Sequence, residues 1–425
     1  MNSARKGRPG AHPGARVWKA GTMSKLAVQR PGSHDRRAEI IAAAAEVWNA
    51  QGASGFTVAA VARLVGLHPV SLGHYFRTRD ELAAECMLDT IARLTALAGE
   101  ASRRPTARER IAAYVHGYFQ IHRRIDEGVE PPLAYFGEIR RIDPSPTSRV
   151  IEAFRGYLRA MMGLFVTPEN QADRQGRVVY ARLVIECTGW AYSWIGLYNP
   201  MEYAGVANRM LDIVFGGIAA PGHAWPTEAP PALGQAAQIR ISRERFLISA
   251  TELINNHGFN GASIDSIAAS LNVTKGSFYH HMADKEDLLR ACFERTFALN
   301  REALAKSADA PDGWRRLHAT IAALIVYHAR GDHGRLLRMQ TVAALSGPAR
   351  EVMLQQYRDL AFRLAVVVCA GVADGSVRPV DPFIAAQMLL CAVNCSFDLD
   401  HWMNRADEVD LLDDLLRPTM TGFPI

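Results

Sequence analysis

The sequence predicts an all-α protein made of two tandem units, each a three-helix head followed by a larger helical body. Three observations carry that prediction. A 47-residue pattern occurs twice, at 36–82 (RRAEIIAAAAEVWNAQGASGFTVAAVARLVGLHPVSLGHYFRTRDEL) and 242–288 (SRERFLISATELINNHGFNGASIDSIAASLNVTKGSFYHHMADKEDL), 206 residues apart and without a gap. Arg37, Ala44, Glu46, Asn49, Gly52, Gly55, Ala62, Ser71, His74 and Leu82 recur as Arg243, Ala250, Glu252, Asn255, Gly258, Gly261, Ala268, Ser277, His280 and Leu288. The segments after the two copies, 83–219 and 289–425, lack any catalytic signature and read as long amphipathic stretches. Between the halves lies a proline-rich joint at 220–240.

In chain order, residues 1–33 hold seven Lys or Arg, no acid, five Gly and three Pro, and read as a disordered basic tail. Met23 as the true start and a DNA-touching arm are both compatible with that composition. The first head, 34–82, opens with a helix whose Ile40, Ile41, Ala44, Val47 and Trp48 share a stripe, as Phe246, Leu247, Ala250, Leu253 and Ile254 do in the second head, 241–288. Gly52 and Gly258 are expected to stop that helix through a left-handed residue. Thr57 and Ser263 are placed to cap a short second helix, in which Val58, Val61, Ala62 and Val65 match Ile264, Ile267, Ala268 and Leu271. Gly66 and Asn272 then occupy the turn, being the two residue types that best tolerate positive φ.

The third helix starts at a cap, His68 or Thr274. Pro69 suits its first position, where the missing N–H is harmless, and Lys275 takes that place in the second copy. Leu72 and Phe278 face inward. That leaves Pro69, Val70, Ser71, His74 and Tyr75 on one side, and Lys275, Gly276, Ser277, Tyr279, His280 and His281 on the other, available to a major groove, with the capping residues Thr57, His68, Ser263 and Thr274 as further candidate DNA contacts. A plain three-helix core is the rival reading of one copy, and two gapless copies with matched caps and turns weigh against it.

Both segments resemble the N-terminal domain of TetR-family transcriptional regulators, through GLHPVSLGHYF–RTRDEL and, more closely, NVTKGSFYHHM–ADKEDL. The resemblance implies that Arg79 and Lys285, opening the fourth helix, contact phosphate. It also marks two departures: Gly73 stands where an aromatic is usual, as in Tyr279, and Met282 where the first copy has Phe76. Gly73 makes the first head the weaker expected reader, since Gly in a helix is about 1 kcal/mol worse than Ala. By the same resemblance the last two helices of each body, 177–197 with 201–218 and 382–403 with 408–416, should pack against each other, giving an intrachain pseudo-dimer with reading helices roughly 34–36 Å apart. Pairing of whole chains stays open.

The first body is rich in aromatics, among them Tyr118, Tyr135, Phe136, Trp190 and Trp194. Core packing is the ordinary reading of each; as a set they could line a pocket for a small apolar or aromatic effector. The linker, with Pro221, Pro226, Pro230 and Pro231, is expected to be an extended spacer of about 3.1 Å per residue.

Net charge is only +5, and the tail supplies more than all of it, so any nucleic-acid contact must come from placed groups rather than a basic surface. No apolar run approaches the length of a membrane helix, and no secretory signal core follows the basic start, which reads as a soluble cytoplasmic protein. Six cysteines form no CxxC pair and read as reduced thiols, with Cys86 and Cys292 at equivalent core positions. No HExxH, Gly-rich phosphate loop or GxSxG is present, and fourteen scattered His show no ligand spacing, so no enzyme, cofactor or metal is expected. The function expected is a DNA-binding transcriptional regulator; the resemblance implies a ligand-responsive repressor, and the unlike heads an asymmetric operator. The alternative is a single-reader regulator in which only the second head binds DNA and the first half dimerises or senses.

Overall fold

Each head begins with a long helix because its apolar stripe has a core to enter. In α1 (Ser33–Gly55) Ile40, Ala44, Val47 and Trp48 are buried. Gly52 interrupts it at φ +62°, and a last turn resumes to Gly55. The positive-φ glycine therefore ends the regular helix there, as its chemistry predicts, and the residues up to Gly55 form a separate short turn. The structure, a computed structural model, describes residues 33–136, 144–169, 173–234, 243–280, 282–331, 333–345, 347–403 and 411–425. Residues 1–32 of the basic tail lie outside them. Short α2 (Val58–Leu64) and α3 (Pro69–Leu72) complete the first head. Its body is α4 (Arg79–Ala101), α5 (Ala107–Asp126), α6 (Pro144–Leu164), α7 (Arg174–Trp190) and α8 (Tyr203–Gly216). Thr106 and Glu109 start α5 with a reciprocal capping box: Glu109 N donates to Thr106 Oγ1 at 3.2 Å and Thr106 N to Glu109 Oε2 at 3.0 Å.

The second half repeats this order. The head is α9 (Arg243–Gly261), with Gly258 at φ +71°, α10 (Ile264–Ser270) and α11 (Lys275–Tyr279). The body is α12 (Lys285–Lys306), α13 (Gly313–Arg330), α14 (Gly347–Asp374) and α15 (Pro382–Met403), then a wide turn at Leu412–Leu416 that runs into α16 (Arg417–Thr421). Among the described residues there is no β-strand, only one antiparallel bridge between Ala219 and Val377. The protein is all-α with two tandem units.

The halves share one continuous core. Helix α7 lies along α15. Across that contact Trp190 Nε1 donates to Gln387 Oε1 at 3.2 Å, and Asn394 Nδ2 donates to Glu186 Oε1 at 2.6 Å. The chain end folds back over the first body: Phe423 N donates to Val214 O at 2.8 Å and Ile218 N to Met420 O at 2.7 Å. Arg378 closes the same edge on Asp212 at 2.9 Å.

The linker differs from the spacer expected of its prolines. Its described part, 220–234, is docked on the second body: Trp314 Nε1 donates to Ala224 O at 3.1 Å, Lys306 Nζ to Ala232 O at 2.7 Å, and the Trp225 ring sits 4.7 Å from that of His318. Burial of Pro226 and Leu233 explains it, since the apolar residues between the prolines supply an adhesive face. Cys86 and Cys292 are buried in equivalent places, and burial pushes the Cys292 thiol up to about 11 and Cys86 higher still, so neither is a nucleophile.

Candidate nucleic-acid interface

The two reading segments are built by caps and turns. In the first head Thr57 Oγ1 accepts from Ala60 N at 3.1 Å to start α2, and Gly66, at φ +65°, makes the turn. His68 then starts α3 by accepting from Val70 N through Nδ1 at 3.4 Å, with Pro69 at the first helical position. In the second head Ser263 Oγ accepts from Ser266 N at 2.9 Å. Its turn is made by Asn272 at φ +54°, the one non-glycine with positive φ among the described residues. Thr274 occupies the cap of α11 in extended conformation, but its side chain makes no capping bond.

Outward residues differ between the heads. In the first, His68, Pro69 and His74 are exposed, Val70 is 71% exposed, and Ser71 and Tyr75 are partly buried. Leu72 fills the head core. Helix α3 ends before Gly73, which adopts an ordinary right-handed conformation at φ −60° that any residue can take, and a Cβ there would lie 3.1 Å from Val70 O. In the second, Lys275, Gly276 and His280 are exposed and Tyr279 is 53% exposed above the buried Phe278. Of Ser277 only the backbone is described, and His281 lies outside the described residues. A phenol projecting beside a lysine can hydrogen-bond and stack, whereas the bare valine of the first head offers only a methyl-sized contact.

The cations are unevenly placed as well. Lys275 Nζ pairs with Asp265 at 3.1 Å across an exposed surface, a weak pair that phosphate can displace. Lys285 sits 4.6 Å from the centre of the Phe259 ring, which orients its ammonium. Arg79, expected at phosphate, also braces its own head: its Nε donates to Phe56 O at 2.8 Å and its Nη1 reaches Asp80 at 3.3 Å. Thr78 and Asp284 cap the helices that these two cations open, accepting from Glu81 N at 3.0 Å and Asp287 N at 2.7 Å.

Sequence reasoning missed how each head is fastened to its body. Asn49 Nδ2 donates to Leu133 O at 2.7 Å and its Oδ1 accepts from Tyr135 N at 3.0 Å, while Thr90 Oγ1 accepts from Ala134 N at 2.7 Å. Asn255 does the same to Leu336 O at 2.8 Å and Arg338 N at 3.1 Å, and Thr296 to Leu337 N at 2.9 Å. An amide on the first helix and a hydroxyl on the fourth thus clamp three consecutive residues in both halves. The signal was present: Asn49 and Asn255 recur in the pattern, and Thr90 and Thr296 keep the same spacing just beyond it. Arg37 adds a brace of its own, 2.6 Å from Glu85 and 4.9 Å over the Phe76 ring.

The aromatics expected to line a pocket are packed together. Tyr135 stacks on Tyr192 at 3.6 Å, Tyr118 lies 4.8 Å from His122, Phe136 meets Phe154 edge-on at 5.9 Å, and Trp190 and Trp194 contact Tyr357 and Phe383 of the second half at 5.3 and 6.1 Å. Two cavities among the described residues are small, of about 10 and 20 Å³. Neither is lined by any of the five. The smaller lies among Leu183, Cys187, Met388 and Phe423; the larger, beside Thr296, His328 and Tyr357, has room for about one water. Among the described residues no cluster of His, Cys, Asp or Glu is arranged to hold a metal, and no helix is long and apolar enough to cross a membrane.

Comparison with known proteins places these heads. The sequence profile described as "Bacterial regulatory proteins, tetR family" matches residues 40–86 and 247–292, and that described as "Tetracyclin repressor-like, C-terminal domain" matches 310–403. The Transposon Tn10 TetC protein of Escherichia coli is 29% identical over 113 residues, 27% of this chain and 57% of TetC. The HTH-type transcriptional regulator BetI of Rhizobium meliloti (strain 1021) is 28% identical over 141 residues, 33% of this chain and 70% of BetI. The chain therefore spans little more than half the length of the first of these relatives. Among solved structures, apo AibR aligns at 25% identity over 43% of this chain and 100% of its own, with a TM-score of 0.36. AibR in complex with isovaleryl coenzyme A and operator DNA aligns at 26% identity over the same shares, with a TM-score of 0.35.

Proposed function

We infer, from the premise that the chain belongs to the tetR family of bacterial regulatory proteins and is a DNA-binding transcriptional regulator, that one chain reads DNA with both of its heads as an intrachain pseudo-dimer. The observation that carries the reading is the pair of complete heads on bodies that share one core through α7 and α15. Bacterial helix-turn-helix repressors ordinarily obtain two heads by pairing identical chains, and so bind palindromes. Here the outward residues differ at Pro69, Val70 and Gly73 against Lys275, Gly276 and Tyr279, while Ser71 and His74 recur as Ser277 and His280; one set meets one half-site and the second set the other. The preferred operator is therefore asymmetric, and the half-site under α11 is the better defined. Arg79 and Lys285 supply the phosphate contacts that set register, with the capping residues Thr57 and Ser263 as further DNA contacts. The match of the same profile to both heads supports two readers over a first half turned wholly to sensing.

Repression follows from occlusion, since a regulator seated across a promoter excludes polymerase. Relief by a small apolar or aromatic effector completes the reading, with the protein acting in the cytoplasm. Neither of those two cavities has room for such a ligand, which on this reading enters by parting the packed aromatics of the first body. That opening can tilt a head: moving a balance from 1:99 to 99:1 needs about 5.5 kcal/mol of preference for the open form. Tyr118, Tyr135, Phe136, Trp190 and Trp194 are the aromatic walls the ligand would part.

The test is selection from random duplex DNA by the full chain, followed by footprinting. An asymmetric site spanning two half-sites is expected. Recovery of a perfect palindrome would mean that two chains each use one head, and a single half-site would leave one reader.

A further inference from the structure

Residues 336–345 join α13 to α14, and they touch both heads. On the second-head side they hold the clamp to Asn255 and Thr296. In the middle, Met339 N donates to Asn394 Oδ1 of α15 at 2.9 Å, and Gln340 Nε2 donates to Glu186 of α7, the same carboxylate that Asn394 engages at 2.6 Å. At the far end the 3-10 turn Met339–Ala344 abuts the first head. A Cβ added at Gly52 would lie 2.1 Å from Ala343 O. Just beyond, Arg350 in α14 donates to Asn49 O of α1. One short stretch thus bonds to the second head and to both interface helices, and it packs on the first head. Leu336, Leu337, Val342 and Leu345 are all buried, so it is seated, not draped.

We propose that residues 336–345 are a strap that sets the distance and angle between the two heads, with Asn255, Gln340 and Arg350 as its positioning residues. This rests on the two-headed reading. Two tethered heads bind as one event only when their separation matches that of the half-sites, because the effective concentration of the second head falls steeply away from the matched geometry. None of the three residues belongs to a reading helix or to the groups assigned to phosphate. Loosening the strap widens the range of head separations and leaves each head's own recognition intact.

The experiment uses the full chain and duplexes built from its selected half-sites, with the spacer varied from two base pairs shorter to three longer than the selected one. Wild type, Asn255→Ala, Gln340→Ala and Arg350→Ala are compared, with duplexes carrying one half-site as reference. A sharp optimum is expected for wild type. In the variants, affinity at the optimum falls about tenfold, affinity at neighbouring spacers changes less than about twofold, and single half-site affinity is unchanged. A parallel measurement, pulsed spin-label distances between Arg63→Cys and Ala269→Cys in a Cys369→Ala background, should show a broader interhead distribution once Arg350 is removed; both label sites and Cys369 are exposed. Variants that lower affinity equally at every spacer, or keep the wild-type profile, overturn the strap and leave two-headed reading standing. A flat wild-type profile overturns two-headed reading itself, and the strap with it.

Discussion

Replacing Trp190 tests whether the two halves are one folding unit. Its side chain is buried where α7 meets α15, with rings of Tyr192 at 5.7 Å and Tyr357 at 5.3 Å, and its Nε1 donates to the buried Gln387 at 3.2 Å. Trp190→Phe keeps most of the ring and removes the donor, leaving Gln387 Oε1 without that bond, so about 1–3 kcal/mol is lost. Trp190→Ala removes the ring as well, and a buried Trp→Ala change costs about 3–5 kcal/mol. The difference between the two variants, about 2 kcal/mol or more, is the packing contribution at the interface. Urea unfolding followed by circular dichroism reads both. Because the core runs through both halves, wild type and variants should unfold in one transition, displaced as a whole. Two wild-type transitions, only one of which moves in Trp190→Ala, would refute the reasoning. So would a loss below about 1 kcal/mol for Trp190→Ala, since that burial could not then be holding the halves together.

Lys285→Ala should weaken binding to all sequences alike and reduce the salt slope by about one, measured by titration at several salt concentrations; a loss confined to one sequence would make Lys285 a reader of bases. Tyr279→Ala should reduce operator affinity more than His74→Ala does, and equal losses would mean that the first head reads as strongly as the second. Removing the matched caps by Thr57→Ala and Ser263→Ala should each lower stability by about 1 kcal/mol, seen as equal shifts in urea midpoint. His122 and His318 are held neutral, burial lowering both to about 4. An unfolded histidine titrates near 6.5, so between about pH 6.5 and 4 the unfolded chain takes up protons that the folded chain refuses, and stability falls as pH falls through that window. His122→Gln should flatten this slope in thermal unfolding; an unaltered slope would remove His122 from the account.

Much of each head was legible because its determinants are local. A hydroxyl before a short apolar period, then glycine or asparagine, then a second cap, act within a few residues of one another, and Thr57, Gly66, Ser263 and Asn272 do in the structure what their chemistry dictates. Repetition at a constant spacing told the rest: two units, all helical. Local reasoning went astray where long-range packing competes. The proline-rich linker is docked because Trp225, Pro226 and Leu233 find a surface formed by residues 74 to 90 positions away.

What the sequence by itself determined, then, is the identity and order of the head elements and the helical character of the bodies, since helix period, caps and positive-φ residues are properties of neighbours along the chain. Only the tertiary structure decided what those elements are fastened to. Glu186 meets Gln340 and Asn394, and Arg350 meets the carbonyl of Asn49, across separations of 154 to 301 residues. Such pairings are selected by the shape of the assembled core and by the need to satisfy buried polar groups, which no local pattern encodes.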